Sequence, residues 1–170
     1  MSPQRKQRSS DPIAEAKRQW AAHGWEHAAP GMATVVSVVR VHQLMMSRIE
    51  QELKPFGITF SRFELLALLM FSSSRALPMS KVSARLQVHP ASVTNTVDRL
   101  VRDGLVERRP NPDDGRGQLV GITDQGITLV HGAVEVLNRV FTDLGLDDEE
   151  RDQLSALCNV YRRAAGDLAD

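Results

Sequence analysis

Between Ser80 and Thr123 lies the most restrictive pattern in the chain: two short helix-forming runs parted by His89 and Pro90, a glycine stop, and two strand-like runs joined by turn residues. Ser80 is placed to cap the first run, which carries Val82 and Leu86. Proline disfavours helical geometry in the residue before it, so His89 must begin a tight turn. The second run, about Ala91 to Arg102, ends where Gly104 can take the left-handed conformation that closes a helix. Leu105 to Arg109 and Gln118 to Thr123 then read as strands, and Asn111, Pro112, Asp113, Asp114, Gly115 and Gly117 supply a polar turn. Two short helices, a tight turn and an appended hairpin are the parts of a winged helix-turn-helix, whose second helix enters the DNA major groove.

The second helix can be tested on a wheel. At about 100° per residue, Val93, Val97, Leu100 and Val101 fall on one side and should face the core. Ala91, Ser92, Asn95, Asp98, Arg99 and Arg102 fall opposite, with Thr94 and Thr96 on the flanks. Small residues at the helix start allow close approach, and Asn95 has the geometry to bond an adenine edge bidentately. Arg99 and Arg102 can neutralise phosphates or read guanine.

The flanking segments read as helices. Residues 1–10 are basic and polar and are expected to be a disordered tail. Asp11 and Pro12 begin a short Ala-rich helix bearing Trp20, and Gly24 breaks it. Pro30 and Gly31 close a linker, after which Val35, Val38, Val39, His42, Met45, Met46, Ile49 and Leu53 recur at three-and-four spacing up to Pro55 and Gly57. Ser61 to about Phe71 is so densely apolar that most of its faces must be buried. Ile127 to Leu144 and Leu154 to Leu168 mark two further amphipathic helices. The expected organisation is a tail (1–10), N-terminal dimerisation helices (11–56), a winged helix-turn-helix (57–126) and C-terminal dimerisation helices (127–170). The fold class is mainly α with a small β-hairpin wing (α+β).

Lys and Arg number 21, as do Asp and Glu, so bulk charge points to no polyanionic partner. The balance is uneven along the chain. Residues 81–116 hold seven basic side chains against five acidic, whereas residues 143–170 hold three against eight. A duplex is therefore steered to the middle of the chain. No apolar run is long enough to span a membrane, and the basic N-terminus leads into no signal core, so the cytoplasm is the expected location. There is no Gly-rich phosphate loop, no nucleophile with a matching base and no metal-spaced cluster, which argues against an enzyme, a metal or another cofactor. A winged-helix module that binds protein and has no DNA target is the alternative, favoured only by Gly115 and the balanced charge.

From about Gly57 to Gly126 the chain resembles the MarR family of bacterial transcriptional regulators. Pro90-Ala91-Ser92-Val93-Thr94, Val97-Asp98-Arg99-Leu100 and Gly104-Leu105-Val106-Glu107-Arg108 follow that family's recognition-helix pattern. Pro112, Asp114 and Arg116 follow its wing, and Thr123 with Gly126 its helix start. The resemblance implies a homodimer built by intertwined terminal helices, a double-stranded, pseudo-palindromic operator, and a small-molecule effector in the crevice between the halves, most simply as a ligand-responsive repressor. It makes Arg116 the minor-groove arginine and Asp114 the acid that orients it. Two departures remove charge: Gly115 replaces a basic residue between them, and Gly121 another in the second wing strand.

Outside that match, Trp20, Arg40, Met45, Met46 and Arg48 are the candidate effector pocket, because thioether and indole groups line adaptable cavities and an arginine can meet a carboxylate. The helix bearing Trp20 is similar to the urate-responsive branch, but Thr96 stands where that branch has an arginine and Glu64 where it has an acid, which leaves aromatic acids and acyl-thioesters open. His23 and His27 flank a glycine break and are read as linker residues. Cys158, the only cysteine, shares a stripe with Leu154 and Tyr161 and is expected to be a buried apolar thiol.

Overall fold

Helix α1 (Pro12–Trp20) starts as the proline at its first position requires, with the Asp11 carboxylate accepting from the Ile13 N–H at 3.0 Å. The structure is a computed structural model that describes residues 11–112 and 114–168; the side chains at 114–116, and the basic tail read at 1–10, lie outside the described residues. The chain divides into two compact units at the boundary between Gln51 and Glu52.

In the first unit, α1 passes into a π-helical turn, Ala21–Trp25, which Gly24 breaks at φ 85°. Trp20 and Trp25 stack at a tilt with ring centroids 5.1 Å apart, and His23 stacks on Trp25. Helix α2 (Ala29–Leu53) starts earlier than the sequence suggested. Pro30 falls in its first turn, where a missing N–H costs nothing, so the expected linker is helix instead. Most of the α2 valines are open, Val35 at 63% and Val38 at 62% exposure.

The second unit opens with a 3₁₀ turn (Lys54–Phe56) that ends on Gly57 in the left-handed region. Helix α3 (Phe60–Phe71), capped by Thr59, buries Phe63, Leu65, Leu66, Ala67 and Leu69, in keeping with its dense apolar sequence. A short strand β1 (Ala76–Pro78) follows, then α4 (Met79–Leu86) and α5 (Pro90–Arg102). Pro78, not Ser80, occupies the cap position of α4, and no side chain bonds there; Ser80 sits exposed in the first turn. At the end of α5 the Gly104 N–H donates to the Val101 carbonyl and the Leu105 N–H to the Leu100 carbonyl, closing the helix as a left-handed glycine permits.

Strands β2 (Val106–Asn111) and β3 (Asp114–Ile122) form the hairpin, longer at both inner ends than expected, and β1 pairs antiparallel with the far side of β3. The sheet therefore has three strands in the order β1-β3-β2, with Leu77 opposite Val120. Helix α6 (Asp124–Thr142) is capped by Thr123, whose hydroxyl accepts from the Gly126 N–H at 3.1 Å and donates to the Gly104 carbonyl at 2.8 Å. One side chain thus joins the end of the α5 turn to the start of α6. Helix α7 (Asp148–Ala164) opens with a reciprocal capping box between Asp147 and Glu150 and buries no residue.

Cys158 is exposed, contrary to the reading of it as a core thiol. The stripe it shares is real, but no described residue covers it: Leu157 and Tyr161 are 69% and 76% exposed. Val101, expected in the core, is likewise exposed at 39%, since the α5 core face narrows to Val93, Val97 and Leu100.

Candidate nucleic-acid interface

Helix α5 carries two faces with different jobs. Val93, Val97 and Leu100 are fully buried and seat it on α4 and β2. Ala91, Ser92, Thr94, Asn95, Asp98, Arg99 and Arg102 are exposed, as the wheel placed them, and Thr96 is half-buried. The His89 ring Nδ1 accepts from the Ala91 N–H at 3.2 Å, so the residue before Pro90 caps the helix that the proline starts. Thr94 and Thr96 donate back to the carbonyls of Pro90 and Ser92 at 3.1 and 2.9 Å, leaving their oxygens able only to accept. Asn95, Arg99 and Arg102 have no hydrogen-bond or ion-pair partner among the described residues, and their full donor capacity points to solvent.

The base of the wing is closed by ion pairs. Arg108 on β2 donates to Asp98 on α5 at 2.6 Å, which ties wing to helix. Arg109 donates through Nε to Glu107 at 2.8 Å, and its guanidinium lies over Gly121 on β3, where an added Cβ would meet Arg109 Cζ at 3.5 Å, an ordinary contact. Period-two alternation puts Glu107 and Arg109 on one face of β2 and was the signal for that pair. The pairing across ten residues from Asp98 to Arg108 had none. Asp114 and Arg116 fall within β3, but their side chains lie outside the described residues. On α4 and α5 the exposed cations Lys81, Arg85, Arg99 and Arg102 make no ion pair with a described residue.

A family model described as the MarR family matches residues 56–117. The crystal structure of Sco5413, a MarR family transcriptional regulator from Streptomyces coelicolor, is 47% identical, with a TM-score of 0.74, and the alignment covers 83% of this chain and 99% of that one. The chain belongs to the MarR family. The HTH-type transcriptional repressor IacR of Pseudomonas putida is 27% identical over 72% of this chain and 74% of that protein. A mutant MarR from Escherichia coli, solved in complex with operator DNA, is 27% identical with a TM-score of 0.68 over 73% of this chain and 89% of that one. Against several other curated regulators the chain spans about half of their length, 54% for one from Bacillus subtilis.

MarR-family membership makes the chain a winged-helix transcriptional regulator, and it directs attention to where an effector could sit. Of the expected pocket residues in the first unit, Met45 and Met46 are half-buried, whereas Trp20, Arg40 and Arg48 are exposed and Arg40 bonds Gln43. A cavity of roughly 140 Å³ lies elsewhere, between α3, α4 and α5, lined by Leu65, Leu86, Val93, Glu64, Ser92 and Thr96 among others. Burial there pushes the Glu64 carboxyl above the ordinary value of 4.5. Among the described residues no group of three His, Cys, Asp or Glu could hold a metal ion, and no helix is long and apolar enough to cross a membrane.

Proposed function

We propose that the chain is a cytoplasmic, homodimeric repressor that reads a pseudo-palindromic operator through α5 and has no catalytic role. The observation that carries this reading is the unpartnered set Asn95, Arg99 and Arg102, held outward on a helix whose other face is locked in the core. Asn95 and Arg99 reach base edges, Ser92 and Thr94 border the groove, and Arg102 takes a phosphate. Asp114 and Arg116 place the wing in the minor groove, where negative potential is concentrated. Residues 57–126 form the DNA-reading domain. The exposed valines of α2 and the exposed Leu154, Leu157, Val160 and Tyr161 of α7 support dimerisation helices at 11–56 and 127–170, because open apolar stripes of that size are normally covered by a partner. A small aromatic acid or acyl-thioester acting at Trp20, Arg40, Met45, Met46 and Arg48 completes the reading.

Duplexes selected from a random pool by the wild-type chain test it. Asn95→Ala with Arg99→Ala should remove selection at two to four base pairs and weaken the selected duplex by about 1–3 kcal/mol per lost base contact. Affinity for unrelated DNA, set by phosphates, should persist and fall steeply with salt. Selection unchanged in the double variant would sink the assignment.

A further inference from the structure

The turn between α4 and α5 is held by a residue from the far end of the chain. Gln87 sits in the left-handed region at φ 53°, a conformation glycine takes freely and glutamine does not. Its side chain Nε2 donates to Asp167 Oδ1 at 2.9 Å, across 80 residues of sequence. The other carboxylate oxygen of Asp167 accepts from Arg162 Nε at 2.6 Å, and the Asp167 N–H donates to the Arg162 carbonyl at 2.9 Å. Gly166, at φ 74°, turns the chain so that both contacts are made at once. Asp167 is thus fixed on the C-terminal turn of α7 and presented to the helix-turn-helix.

What lies next to Gln87 sets where α5 begins. Ser83 donates to the Val88 carbonyl at 2.7 Å and accepts the Val88 N–H on its own carbonyl at 3.3 Å, and His89 caps α5 immediately after. A shift of Gln87 is therefore passed within three residues to the first turn of the helix that carries Ser92 and Asn95. At the other end, α7 buries no residue of its own, so its place is decided by whatever covers its open face. In the dimeric reading above, that is a second copy of this chain.

We infer that Asp167 is a positioning residue for the recognition helix, coupling the placement of α7, and with it subunit association, to DNA reading through Gln87. The inference rests on the DNA-binding reading. It asks for no new ligand, only that a charged hydrogen bond over-determine a turn that the backbone alone would hold poorly.

The test compares Gln87→Gly, Asp167→Ala and the double variant of the full chain, using a duplex selected by the wild type and an unrelated duplex of equal length. Glycine relieves the left-handed backbone, so Gln87→Gly should melt no lower than the wild type while losing the tether. Each single variant should weaken the selected duplex by about three- to tenfold, as expected for one partly exposed charged hydrogen bond, and the double variant should lose no more than either. Affinity for the unrelated duplex should not change. Wild-type affinity in Gln87→Gly, additive losses in the double variant, or equal losses on both duplexes would each overturn the inference. A wild type that selects no duplex overturns the DNA-binding reading, and the inference falls with it.

Discussion

Helices α5 and α7 are both amphipathic, yet the chain finishes only one of them. The apolar side of α5 is sealed: Val93, Val97 and Leu100 have essentially no solvent exposure. The apolar side of α7 is open from Leu154 to Tyr161, although the helix is as well capped as any in the molecule. Capping and periodicity make a helix; they do not say what it packs on. The difference separates a helix whose apolar face is sealed within its own unit from one whose apolar face no described residue covers.

The largest effect expected from that contrast is in stability. Leu100→Ala should cost about 3 kcal/mol, the transfer term plus the cavity left in a site that cannot collapse. Leu157→Ala should cost less than about 0.5 kcal/mol at concentrations where the chain is monomeric, and should instead weaken self-association. Denaturant midpoints and sedimentation of both variants, across a concentration series, check the pair. Equal destabilisation by the two substitutions at high dilution would mean that α7 is buried within its own chain.

The same contrast explains what was legible in the sequence. Elements whose signals are local were readable: Pro12 and Pro90 at helix starts, Gly104 at a helix end, the three-and-four spacing of α5, and the MarR-type pattern between Pro90 and Gly126. Strand β1 was not, because three residues ending in proline carry no periodicity and are defined only by pairing with β3 across more than forty positions. Cys158 misled for the complementary reason. Its stripe is genuine, but a stripe reports that a face is apolar and not which chain covers it. The site divides likewise: the outward face of α5 followed from helix geometry, whereas the Asp98 to Arg108 pair depends on the angle between helix and wing.

That pair gives a smaller effect, on DNA and not on the fold. Both side chains are partly exposed, so Asp98→Asn should change stability by only about 0.5 kcal/mol. Its consequence is to release Arg108 beside two cations, Arg99 and Arg102, that make no ion pair among the described residues. Non-specific affinity should rise, and the slope of log affinity against log salt should steepen by about one for the phosphate gained. A filter-binding or anisotropy titration at several salt concentrations reads both quantities. An unchanged slope would mean that Arg108 stays out of reach of the duplex even when unpaired, and that the wing base takes no part in phosphate binding.

The smallest effect concerns Glu64, a carboxylate on α3 whose surroundings disfavour its charge. Glu64 borders the cavity under α5, where partial burial raises its pKa above 4.5. A folded-state pKa above the unfolded one means the folded chain holds the proton more tightly, so this residue lowers stability as pH rises through that window and keeps it lower above. Glu64→Gln removes that charge. The variant should match the wild type near pH 4 and exceed it at pH 7 by only a few tenths of a kcal/mol, because the residue is exposed and solvent screens most of the effect. Denaturant midpoints at the two pH values measure it. A variant less stable than the wild type at pH 7 would show that the carboxylate is held by a favourable partner at the cavity mouth, and that desolvation is not what sets its charge.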